Sequence, residues 1–197
     1  MQVQLGLGNG LGKLHGLVLL LFLGPSNMAM ILAYYTSSKR QFTSIYLTKE
    51  LQMQTRLDFY TADKDAIKAL MGVENQINKG TLDILLKELV RLRASQINGC
   101  AFCLDMHVAD ARKAGESERR MATVSAWRET PFFSDRERAA LAWTESLTLV
   151  SQNHVPDAVW ETVRPHFTDA ELVELTLLIT SINTWNRFAI AFRKMPV

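Results

Sequence analysis

Cysteine is scarce in this chain: among 197 residues there are two, alongside four histidines and a formal net charge of only +2. Two cysteines cannot build the disulfide scaffold of a small secreted domain, and they fit catalytic thiols in a reducing cytoplasm better. The near-neutral balance and the lack of a basic cluster argue against nucleic acid as a partner. No glycine-rich phosphate loop, flavin fingerprint or CxxCH haem-attachment motif occurs, so no cofactor is expected. No alternating strand pattern or hairpin dipeptide stands out either.

What is present is concentrated in one stretch, ELVRLRASQINGCAFCLDMH, which holds Glu88, Cys100, Cys103 and His107. In a helix, positions i, i+3 and i+7 fall on one face, so both thiols and the imidazole would share a surface. Helical Cα atoms three residues apart are roughly 5–5.5 Å from each other, inside the window for a disulfide. Asn98-Gly99 interrupts the preceding apolar-periodic segment, and Asn98 is the expected N-cap of the new helix. Cys100 then lies in the first turn, where free N–H groups and the macrodipole favour a thiolate. His107 is a candidate base or proton shuttle near neutral pH. Glu88 belongs to the previous helix and reaches the thiols only if the two helices pack together.

The same residues admit other readings. Two cysteines, a histidine and a carboxylate are acceptable zinc ligands, but structural zinc sites rarely set three ligands along one helical face, and no metal is expected. Buried cysteines often serve only as small hydrophobes. For Glu88 the plain alternative is a solvated charge on the KELVRLR face. His15, His154 and His166 read as loop or cap residues. Trp127, Trp143 and Trp160 read as core or interface anchors, and the Asn186-Arg187 pair as a buried hydrogen-bonding or interface contact.

Downstream of Met53 nearly every segment reads as helix, which predicts an all-α bundle. The expected helices are Ala62–Asn78, Leu82–Ile97, about Gly99 to Ala114 with a terminating Gly115, and a short helix capped by Ser117 and running through Ala126. Ser134–Glu137 is a capping box opening Ala139–Ser151, and Thr168–Glu171 opens a long apolar helix to about Arg193. Pro156 suits the first turn of another short helix. The Glu88 helix and the CxxC helix are expected to form an antiparallel pair. Leu172–Phe192 is apolar almost all round, and Trp185, Phe188 and Phe192 offer enough aromatic surface to predict a subunit contact there.

The pattern Glu88, eleven residues, Cys100-x-x-Cys103, three residues, His107 resembles the AhpD-like alkylhydroperoxidase branch of the carboxymuconolactone decarboxylase family. LVRLRASQINGCAFC, SAWRETPFFSDRERAALAWTE and INTWNRFAIAFR are also similar to that branch, so the likeness runs from about Met53 to the C-terminus. It implies an AhpD-like helical bundle with the CxxC near the N-terminus of a central helix. It further implies a thiol peroxidase in which Cys103 attacks the hydroperoxide, Cys100 resolves the sulfenic acid, and Glu88 and His107 relay protons. Electrons would come from a dithiol protein or lipoyl-type donor, and the protein would be a homo-oligomer, trimer or hexamer. The founding type carries a second histidine just before the second cysteine; Phe102 stands there in this chain, which would shorten or slow a relay that relied on it. A protein disulfide reductase or redox adaptor would use the same thiols. Lactone decarboxylation, the family's other activity, does not need the CxxC pair.

Residues 1–52 have a different texture. Lys13 and His15 precede the apolar Leu17–Leu23, a polar break follows, and Met28–Tyr35 is apolar again. A signal peptide would lack a clean cleavage site, and a membrane anchor across residues 16–35 would carry a polar break near its centre. The preferred expectation is a stretch upstream of a true start at Met53, with residues 53–197 as the functional domain.

Overall fold

The computed structural model describes the backbone of residues 30–36 and 41–47, and residues 54–196 in full. The chain divides into two compact units, Met1–Gln52 and Met53–Val197.

In the first unit, β1 (Met30–Thr36) and β2 (Gln41–Leu47) pair antiparallel, with Ala33 opposite Ser44. Sequence inspection missed this hairpin. Its aromatic and β-branched content, Tyr34-Tyr35-Thr36 and Phe42-Thr43 with Ile45-Tyr46, suits a pleated strand, but no turn dipeptide announces it. The anchor reading of residues 16–35 loses its last six residues to β1, and the rest of it lies outside the described residues. No helix among the described residues is long and apolar enough to cross a membrane.

The second unit is helical. Its elements are α1 (Phe59–Ala62), α2 (Lys64–Asn78), α3 (Ile84–Asn98), α4 (Ala101–Lys113), α5 (Glu118–Thr123), a 3-10 turn at Val124–Glu129, α6 (Asp135–Thr148), α7 (Val150–Asn153), α8 (Asp157–Val163) and α9 (Asp169–Phe192). Both capping boxes form: Ser134 and Glu137 exchange hydrogen bonds at the start of α6, and Thr168 and Glu171 at the start of α9. Pro156 is the N-cap residue of α8, one position ahead of the first turn.

Helix α3 is the axis of the bundle. Leu86 and Val90 join Ala140, Leu175 and Leu178 in one core cluster, Leu89 and Leu92 join Val124, Trp127 and Leu141 in a second, and Ala94 joins Cys100, Cys103 and Ile182 in a third. A helix that packs on every side must also bury its charges, and Lys87, Glu88 and Arg91 are all buried. KELVRLR is therefore not a solvated face. Each charge has a partner, as burial demands: Lys87 Nζ donates to the Ile77 carbonyl at 2.7 Å and lies 3.2 Å from Glu174. The Glu174 carboxylate also accepts from the backbone N–H groups of Thr81 and Leu82, pinning the turn that delivers α3.

The aromatic surplus of α9 is largely consumed within the chain. Phe188 packs edge-on to Phe59 at 5.5 Å between ring centroids, Phe192 lies 5.8 Å from the same ring, and Trp185 stacks on Tyr60 at 6.3 Å. The short α1 thus covers residues that the sequence assigns to a subunit contact. Trp127 and Trp143 are buried, whereas Trp160 and Val173 stay exposed and line an apolar cavity with Leu172 and Leu177.

Candidate active site

The turn into the CxxC helix is built differently from the sequence expectation. Asn98 is the last residue of α3, and Gly99, at φ +70°, closes that helix in the left-handed region. That conformation is easy for glycine and strained for other residues. Cys100 itself then becomes the N-cap of α4, its Sγ accepting from the Cys103 N–H at 3.3 Å. Freed from capping, the Asn98 side-chain amide donates to Asn183 at 3.0 Å and Asn186 at 2.8 Å, and Asn186 donates to Ser95 at 3.1 Å. These bonds lock the α3–α4 turn onto α9 and give the buried Asn186 its role; Arg187 turns back to the Asn183 carbonyl at 2.7 Å.

Cys100 and Cys103 are joined by a disulfide with Cα atoms 5.4 Å apart, and each residue is 1 % exposed. In this oxidised form neither sulfur is a thiolate, so neither can serve as a zinc ligand. His107 lies one turn beyond Cys103 on α4, at the i+4 spacing that places two side chains on one face. Its Nδ1 is 2.9 Å from Glu88, which also accepts from Arg91 at 2.7 Å. All three groups are buried.

Burial alone would raise the Glu88 carboxyl, but the hydrogen bonds and charges of His107 and Arg91 outweigh it and hold it below its ordinary value. Glu88 is therefore ionised and can only accept. With the carboxylate as acceptor, His107 Nδ1 is the donor of that hydrogen bond, and Nε2 is the ring nitrogen not bonded to Glu88.

Two residues of this network escaped the sequence reading. Arg91, three residues after Glu88, carries the Glu88 charge, and Glu74 on α2 accepts from the other Arg91 nitrogen at 3.0 Å. Glu74 is held in turn by Trp185 Nε1 at 3.0 Å and by the Ser181 hydroxyl. The Arg91 spacing was visible on one helix; nothing in the sequence joined Glu74 to it. The network lines a cavity of about 730 Å³ with apolar walls that include Met71, Met106 and Ile182.

Glu88, His107 and Asp110 offer three ligand atoms within 4.8 Å of one another. The Arg91 guanidinium pairs with the same carboxylate and opposes a second cation there. Phe102 contributes a ring to the apolar shell of the disulfide, where the founding type has histidine.

The family model described as the carboxymuconolactone decarboxylase family matches residues 64–146, a span that contains Glu74, Glu88, both cysteines and His107. The uncharacterized protein YdfG of Bacillus subtilis is 41 % identical over 139 residues, covering 71 % of this chain and 95 % of its own length. The chain belongs to the carboxymuconolactone decarboxylase family. Its AhpD-like character is seen in a crystal structure from Agrobacterium tumefaciens, of a protein of unknown function proposed there as the antioxidant defence protein AhpD. That structure is 43 % identical with a TM-score of 0.72, over 73 % of this chain and 99 % of that one. An uncharacterized peroxidase-related protein from Silicibacter, 25 % identical, aligns at TM-score 0.63 over 70 % of this chain and 73 % of its own.

Proposed function

We propose that this AhpD-like protein is a thiol peroxidase that reduces hydroperoxides by cycling Cys100 and Cys103 between dithiol and disulfide. The observation that carries the reading is the coincidence of a closed CxxC disulfide with a buried Glu88–His107 pair one helical turn away. In the reduced protein, the Cys103 thiolate attacks the terminal peroxide oxygen. The O–O bond breaks, the alkoxide leaves with a proton supplied through His107, and Cys103 becomes a sulfenic acid. Cys100 attacks that sulfur, hydroxide departs as water with a second proton, and the disulfide closes. Glu88 orients the imidazole and balances its charge while it carries a proton. With phenylalanine at position 102, both protons pass by His107.

The N-cap geometry favours negative charge on Cys100, which suits the resolving step, whereas attack by Cys103 relies on its place beside His107. Burial of both cysteines weighs against a disulfide reductase that must dock its sulfurs onto a folded protein. The test is to add one equivalent of an organic hydroperoxide to the reduced protein and count thiols. Loss of both thiols with formation of one equivalent of alcohol is expected. Two surviving thiols after peroxide exposure would refute the reading.

A further inference from the structure

The Glu88–His107 pair and Cys100 line two different cavities that share no residue. The larger contains Glu88 and His107 but neither cysteine. A second, of about 370 Å³, is lined by Cys100 together with Phe102, Ile190 and three cations, Arg56, Arg193 and Lys194. Cys103 lines neither. No carboxylate among the described residues contributes to the wall of the smaller cavity. Among the described residues none of the three cations has a carboxylate partner. Arg56 donates to the Ala191 carbonyl at 3.0 Å, and the Lys194 ammonium lies 5.3 Å from the centre of the Tyr60 ring and 5.9 Å from that of Phe102. Those contacts are to a carbonyl oxygen and two aromatic rings, none of which carries a negative charge.

From this arrangement we propose that the electron donor enters by a door of its own: a small dithiol with an anionic tail binds in the cationic cavity and attacks Cys100. The proposal rests on the redox reading of the CxxC pair. The volume lies near the lower end of the range for small-ligand pockets, which start at about 300 Å³, and suits a small molecule. The cations select its negative charge. One donor thiolate attacks Cys100 Sγ, the Cys100–Cys103 bond breaks, and Cys103 leaves with the electron pair. Cys103 is the leaving sulfur because Cys100, and not Cys103, lines the cavity from which the donor attacks. That thiolate is protonated through His107. The donor's second thiol then attacks the donor sulfur of the mixed disulfide and loses its proton, and Cys100 leaves as a thiolate. Two electrons have passed from donor to protein, and the donor is released as its own disulfide. A dithiol is required for this last step to be intramolecular.

The experiment starts from the full-length protein in its disulfide form and contains no peroxide. Dihydrolipoate and dihydrolipoamide carry the same two thiols on tails that end in a carboxylate and a neutral amide. Stopped-flow reduction, with free thiols counted after acid quench, gives the rate for each. The expected ratio in favour of the carboxylate is about tenfold at low ionic strength, shrinking as salt screens the cavity. In Arg56→Gln/Lys194→Gln the ratio falls to about twofold or less, a readout that a general loss of structure would not produce. In a Cys103→Ser variant, the Cys100 thiolate should attack the anionic aryl disulfide 5,5′-dithiobis(2-nitrobenzoate), forming a mixed disulfide and releasing one equivalent of 5-thio-2-nitrobenzoate. Absence of release from the folded variant would overturn access to Cys100. Equal rates for the two donors in the unmodified protein, insensitive to salt, overturn the proposal even if the double variant fails to fold. A ratio preserved in a folded double variant overturns it too. A protein that shows the donor preference but consumes no peroxide would instead refute the peroxidase reading alone.

Discussion

Replacing Glu88 by glutamine tests the site most sharply, because the carboxylate is both a structural anchor and a proposed proton-relay residue. Glu88 accepts one hydrogen bond from Arg91 at 2.7 Å and one from His107 at 2.9 Å, with only 2 % of the residue exposed. Hydrogen bonds to charged groups contribute about 1.5–3 kcal/mol each. Glutamine keeps the shape and one acceptor oxygen, but turns an NH₂ toward one of two donors. Removing one partner of a buried ion pair costs about 3–5 kcal/mol when the survivor is left alone. Arg91 is not left alone, since Glu74 holds its other nitrogen at 3.0 Å. We therefore expect Glu88→Gln to destabilise the fold by about 2–3 kcal/mol, seen as a lower urea midpoint by circular dichroism. Single-turnover thiol oxidation should slow by about 10²–10⁴-fold. The companion variant Glu74→Gln also loosens Arg91 but leaves the acceptor for His107 Nδ1 intact, so its oxidation rate should fall by less than about tenfold. An unchanged urea midpoint in Glu88→Gln would contradict the buried network. A destabilised protein that still oxidises at the normal rate would remove Glu88 from the proton path and leave it a structural residue.

Three further outcomes are expected. Peroxide should leave Cys103 as a sulfenic acid in Cys100→Ser, detectable by mass spectrometry with a sulfenate-specific reagent; trapping at Cys100 in Cys103→Ser with an inert Cys103 would reverse the two roles. Stability should hold above about pH 4.5, the ordinary carboxyl value, and decline as pH falls through the lower folded-state values of Glu88, Glu137, Glu145 and Glu174. In each of these groups burial raises the value but is outweighed by bonded partners, so the fold favours the ionised form and protonation opposes it; a urea midpoint that stays flat from pH 7 to pH 3 would refute this. The protein should scatter light as a homo-oligomer, trimer or hexamer, with the apolar surface around Trp160 and Val173 as the contact; a monomer mass at micromolar concentration would exclude it.

What could be read in advance follows the range of the forces involved. Both capping boxes, the end of α4 ahead of Gly115 and the closeness of Cys100 to Cys103 depend on residues within one or two turns, and all were legible. The same local logic misplaced the cap of α4, which falls two residues later, at Cys100. Asn98 was the better cap by propensity. The choice fell to Cys100 because Gly99 can take the left-handed turn that ends α3, and because Asn183 and Asn186 of α9 claim the Asn98 amide. The alternative of a solvated Glu88 stood open in the sequence for a related reason. On an isolated helix KELVRLR is a charged face, and only encirclement of α3 by α2, α4, α6 and α9 turns it inward. Arg91 and Glu74 then become necessary, since a carboxylate at that depth requires compensating charge. The cations beside Cys100 lie further still from local reach, because Arg56 precedes the first helix of the domain while Arg193 and Lys194 follow the last. Helix α9 brings its own C-terminal end to the cavity lined by Cys100, and the backbone N–H of Arg56 bonds the Phe192 carbonyl at 2.9 Å beside it. The Cys100–Cys103 pairing is thus encoded within four residues, whereas the charges around it depend on how distant helices close on α3 and α4. A substitution that shifts α9 relative to α4, such as loss of the Asn98–Asn186 bond, should therefore alter donor reactivity at Cys100 without touching either cysteine.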